Sequence, residues 1–216
     1  MSNGFAELHQ QWIARTQECV VARLQGQQAG HGMDHVLRVL NNARQIQAEL
    51  GGCRTTVELA ALLHDVGDAK FHEGVERSGE FSRVILEGLD VPAELIRSIV
   101  DIVDNISFRK GVPGSQLSLE GQIVQDADRL DALGAIGIVR TIEYGAVVGQ
   151  PFYLPGQSVE DSPSGIGHFY QKLFKLTQLL NTDAARRLAA EREKFMWSFL
   201  EQFYSECGAT APETSI

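Results

Sequence analysis

Apolar residues recur at helical spacing along almost the whole 216-residue chain, and no stretch shows the two-residue alternation of a half-buried strand. That pattern restricts the chain to helix packed on helix, an all-α fold. Phe5, Leu8, Trp12, Ile13, Val20 and Leu24 form one stripe, ended by Gly26. Val36, Val39, Leu40, Ala43 and Ile46 form a second, on a helix predicted over about 34–50 and stopped by Gly51-Gly52. A third helix runs from Val57 through His64-Asp65 and is apolar on nearly every side, which places it in the core. Further helices are expected at about 76–87, from Asp90-Val-Pro92 through Val103, from Leu119 to Val139, from Gly167 to Leu180 and from Asp183 to Cys207. Residues 109–117 and 145–165, rich in glycine and proline, read as irregular segments, and 208–216 as a disordered tail. Without an internal repeat or a low-complexity linker, one domain over residues 1–207 is the simplest organisation.

The net charge of −9 argues against a nucleic-acid polymer as partner, because binding one needs many Lys and Arg contacts to phosphates. A small anion is still admissible, since a metal ion and a few basic side chains can reverse the field locally. Cys19, Cys53 and Cys207 are scattered and odd in number, so neither a disulfide framework nor a thiolate zinc site is expected. No apolar run approaches the length of a membrane span, and the first residues lack the basic and apolar regions of a secretory signal. A cytoplasmic protein is the expectation; a homodimer is compatible with the sequence but not specified by it.

His64-Asp65 closes an apolar helix, where an ionisable pair is costly unless a metal ion or a hydrogen bond compensates it. A His-Asp dipeptide alone arises by chance in about one chain in three of this composition, so its company matters. His35 lies on the preceding amphipathic helix, and Asp126 and Asp128 lie in the most apolar later one. Three separate apolar helices thus each bring a His or Asp without an evident structural reason. Two histidines with two carboxylates suit Mn²⁺, Fe²⁺, Co²⁺, Ni²⁺ or Zn²⁺, with Mg²⁺ less favoured because imidazole is not its preferred ligand.

The order His … His-Asp … Asp resembles the signature of the HD-domain metal phosphohydrolases. Around it, His31-x-x-x-His35-x-x-Arg38-Val, Leu63-His-Asp-Val-Gly-Asp68-Ala-Lys70-Phe71, Ile106-Ser-Phe108, Val124-Gln-Asp-Ala-Asp128-Arg-Leu-Asp131-Ala-Leu-Gly and His168-Phe-Tyr-x-Lys172-Leu look like one bacterial branch of that family, over residues 20 to 206. The resemblance implies an HD-type helical bundle in which His35, His64, Asp65 and Asp128 hold one divalent ion among the core helices, with Mn favoured. It places the last ligand at Asp128, with Asp126 the rival. Asp131, one turn on, could orient a ligand or a water, or pair with an arginine. The branch often carries Asp-Trp after the histidine matched by His31; here Gly32-Met33 stands instead.

The implied activity is hydrolysis of a small phosphorylated molecule, a nucleotide by preference, by a pyrophosphohydrolase or phosphomonoesterase reaction. Asp68, three residues after Asp65, is the candidate general acid or base. Arg38 and Lys70 are the candidate phosphate contacts and part of the catalytic set. Arg129 points away from its neighbouring ligand and reads as a structural ion pair. Arg109 and Lys110 could close over a substrate or stay solvated, and His168 with Lys172 could read a second phosphate or a base, or cap and pack. A non-catalytic nucleotide sensor would need a broken site, and a two-iron oxygenase would need more histidines than His31 and His72 offer.

Overall fold

The computed structural model describes residues 3–24, 32–69, 72–107, 110–159 and 161–212, and among these every regular element is a helix. The chain divides into two compact units, Met1–Asp128 and Arg129–Ile216.

The first unit holds α1 (Asn3–Leu24), α2 (Met33–Leu50), α3 (Arg54–Leu63), α4 (Ser78–Glu87), α5 (Ala93–Asn105) and all but the last turn of α6 (Leu119–Asp131). Its centre is α3, buried at every position from Thr55 to Leu63 and enclosed by α1, α2 and α5. Each fully buried leucine there (Leu59, Leu62, Leu63) contributes about 1.5–3 kcal/mol. One charge is buried with them. The Glu58 carboxylate accepts from Arg44 at 2.9 Å and from Arg54 at 2.7 Å, and His9 Nε2 lies 3.3 Å from it. Burial opposes ionisation of Glu58, but the two arginines outweigh it and hold the carboxyl below its ordinary range.

Several boundaries differ from the sequence expectation, two of them by more than a shift of an end. Helix α3 stops at Leu63, so His64 and Asp65 lie in the tight turns that follow it. Those turns are fixed by tertiary contact. Gly67 donates its amide to Ser78 Oγ at 3.1 Å and accepts from the Arg77 amide at 2.9 Å. A Cβ at Gly67 would sit 2.5 Å from the Arg77 carbonyl carbon. This dock also explains why α4 begins at Ser78 rather than 76: the Glu76 carboxylate turns back to accept the amides of Ser78 and Ala69.

The second difference is the helix expected from 119 to 139. It breaks after Asp131, and α7 (Gly134–Val148) starts afresh. Gly134, at φ +72°, makes the break, a conformation that costs a side-chain-bearing residue about 1 kcal/mol or more.

In the second unit α7 packs on α10 (Asp183–Glu206). Between them, α8 (Gly165–His168) and α9 (Phe174–Leu176) flank a π-helical turn at Phe169–Leu173. Aromatic rings fill the space: Phe152 meets Phe169, Phe199 and Phe203 edge-on, and Phe174 stacks on Trp197 at 4.0 Å. The irregular segment starts after α7, at 149 rather than 145, and the Gly167–Leu180 helix is this interrupted run from Gly165. Of the tail, 213–216 lie outside the described residues. No described helix is long and apolar enough to cross a membrane.

Candidate metal centre

Helix α2 turns His35 inward on the same face as Val36, Val39, Asn42, Ala43 and Ile46. At the end of α3, His64 keeps helical backbone angles, so its ring folds back and Nδ1 meets the Ala61 carbonyl at 2.8 Å. A carbonyl oxygen only accepts, so Nδ1 carries the proton. The Nε2 atom of His64 is therefore directed away from its own helix.

That Nε2 stands 3.2 Å from His35 Nε2. Asp65 Oδ2 lies 3.5 Å from the His35 nitrogen and 3.6 Å from that of His64; Asp128 Oδ1 lies 3.5 and 3.8 Å from the same two atoms. The imidazoles are almost wholly buried, at 2% and 3% side-chain exposure, whereas Asp65 and Asp128 are open to solvent at 17% and 35%. The grouping is thus apolar behind and accessible in front. Among the described residues, the ligand atoms of His35, His64 and Asp65 all fall within 4.8 Å of one another.

Two imidazoles and two carboxylates this close are a donor set that a divalent cation would suit. Ligands about 2.1 Å from a six-coordinate ion stand about 3 Å apart when adjacent and about 4.2 Å when opposite. The imidazole–imidazole and imidazole–carboxylate separations lie within that range, and the donor types suit a divalent metal.

The carboxylate brought to the imidazoles from α6 is that of Asp128. Asp126, about 200° around the helix, is completely buried. Sequence reasoning missed Asn42. Its side-chain amide donates to the Ala127 carbonyl at 3.1 Å and ties α2 to α6 beside Asp128. The available signal was a polar residue on the apolar face of an amphipathic helix.

The other candidates are placed as follows. Asp68 closes the turn after the cluster, its amide donating to the Asp65 carbonyl at 3.2 Å. Arg38 pairs with Asp34 at 2.7 Å on the surface of α2, and this bond holds the Asp34 carboxyl below its usual range. Asp131 is buried and pairs with Arg140, the second of its two expected roles. Arg129 donates to the Leu179 carbonyl, a structural bond though not to a carboxylate. Lys110 donates to the Asp104 carbonyl. His72 packs edge-on against Phe81 with ring centroids 5.1 Å apart. His168 ends α8 in the second unit, with Lys172 in the π-helical turn; burial, reinforced by the Lys172 charge, pushes the imidazole below its ordinary pKa. His31, Lys70 and Arg109 lie outside the described residues.

Comparison with known proteins gives concordant matches. The family model described as "HD domain" matches residues 32–133, a span that includes the whole cluster. The uncharacterized protein YpgQ of Bacillus subtilis is 36% identical over 196 residues, 89% of this chain and 92% of its own. A crystal structure of an HD-superfamily hydrolase from Bacillus thuringiensis superposes with a TM-score of 0.79 at 39% identity, covering 94% of this chain and 100% of that one. The structure of B. subtilis YpgQ in complex with ADP superposes with a TM-score of 0.78 at 31% identity, covering 92% and 96%.

Proposed function

The chain belongs to the HD-domain family, and from that premise we propose that it is a metal-dependent phosphohydrolase acting on a nucleotide, with His35, His64, Asp65 and Asp128 holding one divalent ion, Mn²⁺ by preference. The observation that carries this reading is the approach of four ligand atoms from α2, the turn after α3, and α6 to within 3.2–3.8 Å around the two imidazoles. The nucleotide preference is supported by the structure of YpgQ with ADP.

A divalent ion held by His35, His64, Asp65 and Asp128 would supply Lewis-acid polarisation of a phosphoryl oxygen and would lower the pKa of water. The protein's own groups do the rest. The Ala61 carbonyl holds the His64 tautomer and ring plane. Asp68 takes a proton from the attacking water or returns one to the leaving oxygen. Arg38, paired with Asp34 on the surface of α2, is the first phosphate contact in this proposal. Lys70 is the second phosphate contact in this proposal. Arg109, His168 and Lys172 are proposed to contact the remainder of the substrate.

The test is a screen of nucleoside mono-, di- and triphosphates and simple phosphate esters with Mn²⁺, Co²⁺ and Mg²⁺, the products separated by anion-exchange chromatography. Metal-dependent release of pyrophosphate or phosphate from a nucleotide supports the proposal. Metal-loaded protein that turns over none of these compounds would falsify it.

A further inference from the structure

Of the seven buried residues of α2, two are polar, His35 and Asn42. His35 belongs to the candidate metal centre. Asn42 lies on the same face, two turns further along and about 10.5 Å away on the helix axis. It is 7% exposed. Taking an amide out of water is unfavourable unless its hydrogen bonds are remade. Here Nδ2 donates at 3.1 Å to the main-chain carbonyl of Ala127, a fully buried residue of α6. A helical carbonyl already faces the amide four residues on, so Asn42 takes the second lone pair of that oxygen. An apolar side chain could fill the same space, but it could not fix the height of α6 along α2.

That height matters because the residue after Ala127 is Asp128. Its side chain is the most exposed of the four candidate ligands, at 35% against 17% for Asp65 and 2–3% for the imidazoles. Packing therefore constrains it least, and its carboxylate follows the backbone. Metal–ligand distances tolerate only about ±0.2 Å, whereas a slide of α6 by a single residue is about 1.5 Å. Further side-chain bonds on α6 lie farther from the ligand. Glu120, in the first turn, accepts the Cys53 amide at 2.8 Å, and Gln125 reaches the Ile106 and Val112 carbonyls at 3.4 Å each. The Asn42 bond is made at the residue beside Asp128.

We propose that Asn42 is a positioning residue of the metal centre. By holding the Ala127 carbonyl it fixes α6 against α2, so that the Asp128 carboxylate stands opposite His35 before an ion arrives. The ion then does not have to order the helix as it binds. Metal affinity thus depends on a side chain outside the ligand set. The inference rests on the reading of His35, His64, Asp65 and Asp128 as ligands.

Calorimetric titration of the metal-free full chain with Mn²⁺ tests it. Asn42→Leu keeps the volume and removes the donor. It should raise the dissociation constant by about 10- to 100-fold, while the metal-free variant still unfolds cooperatively on heating. The same substitution is then made in two weakened backgrounds. In Asp128→Ala the ligand that Asn42 positions is gone, and Asn42→Leu should change affinity by no more than about twofold. In Asp65→Ala the ligand remains, and the full factor should return. A packing defect unrelated to Asp128 would weaken binding by the same factor in both backgrounds. If Asn42→Leu does not fold, Asn42→Ser, whose hydroxyl is too short to reach the carbonyl, carries the same expectations. Unchanged affinity in the Asn42 variant, or an equal loss in the Asp128→Ala background, would overturn this role and leave the metal centre standing. Absence of Mn²⁺ binding by the parent protein would overturn both.

Discussion

Which face of His64 is reactive is set by a main-chain oxygen. The bond from Nδ1 to Ala61 assigns the ring proton and leaves Nε2 to the cluster. His64→Gln keeps a polar side chain of similar reach but loses that arrangement, and an outer partner of this kind is worth 10- to 100-fold in metal affinity; losing the ligand itself should cost at least that, measured as the Mn²⁺ dissociation constant. Asp68 is separable from binding. Asp68→Ala is expected to retain the ion and to lose 10²–10⁴-fold in kcat, and unchanged kcat would remove it from the mechanism. Glu58 belongs to stability instead. Its carboxyl is held below its ordinary range by the two arginines, so the folded state favours the charged form. The stabilisation is complete above about pH 4.5 and is lost as pH falls through the lower folded-state value. Glu58→Gln should flatten acid unfolding in that window and cost about 2–3 kcal/mol at pH 7, less than a fully buried pair because both arginines are partly exposed.

Among the elements, the turn after α3 carries most of the positioning. The apolar run from Val57 continues through Val66, and His64 retains helical backbone angles, so periodicity alone extends the helix over the His-Asp pair. What ends it is the dock of Gly67 on Arg77 and Ser78, ten residues away and invisible to a local pattern. Gly67→Ala would force a Cβ within 2.5 Å of backbone. Moving that turn should cost about 1–3 kcal/mol of stability, read by urea unfolding, and should lower kcat because Asp65 and Asp68 move with it. The helix expected to run from 119 to 139 failed for another reason. Ala132, Leu133 and Ile136 are compatible with helix, and only the positive φ at Gly134 divides it. The glycine was legible in the sequence, but its conformation was not. Asn42 was overlooked because its partner is a main-chain carbonyl on α6, which carries no residue-type signal.

At the scale of the molecule, the helical class was legible because burial forces periodicity, and His35 and His64-Asp65 stood out because ionisable side chains on apolar helices are rare; the preference for Asp128 over Asp126 came from the family resemblance. The cluster's contacts draw on α2, the turn after α3, and α6, so an ion bound there joins segments that are distant in sequence. Metal should therefore stabilise the protein by about 2.7 kcal/mol at a hundredfold excess over its dissociation constant, seen as a rise in Tm that EDTA reverses. The most direct measurement is calorimetric titration of the metal-free full chain with Mn²⁺, alongside Asp65→Ala and Asp128→Ala. One ion per chain is expected for the parent protein, with at least tenfold weaker binding in both variants. Equal uptake by all three proteins, or none by the parent, would contradict a metal centre at His35, His64, Asp65 and Asp128.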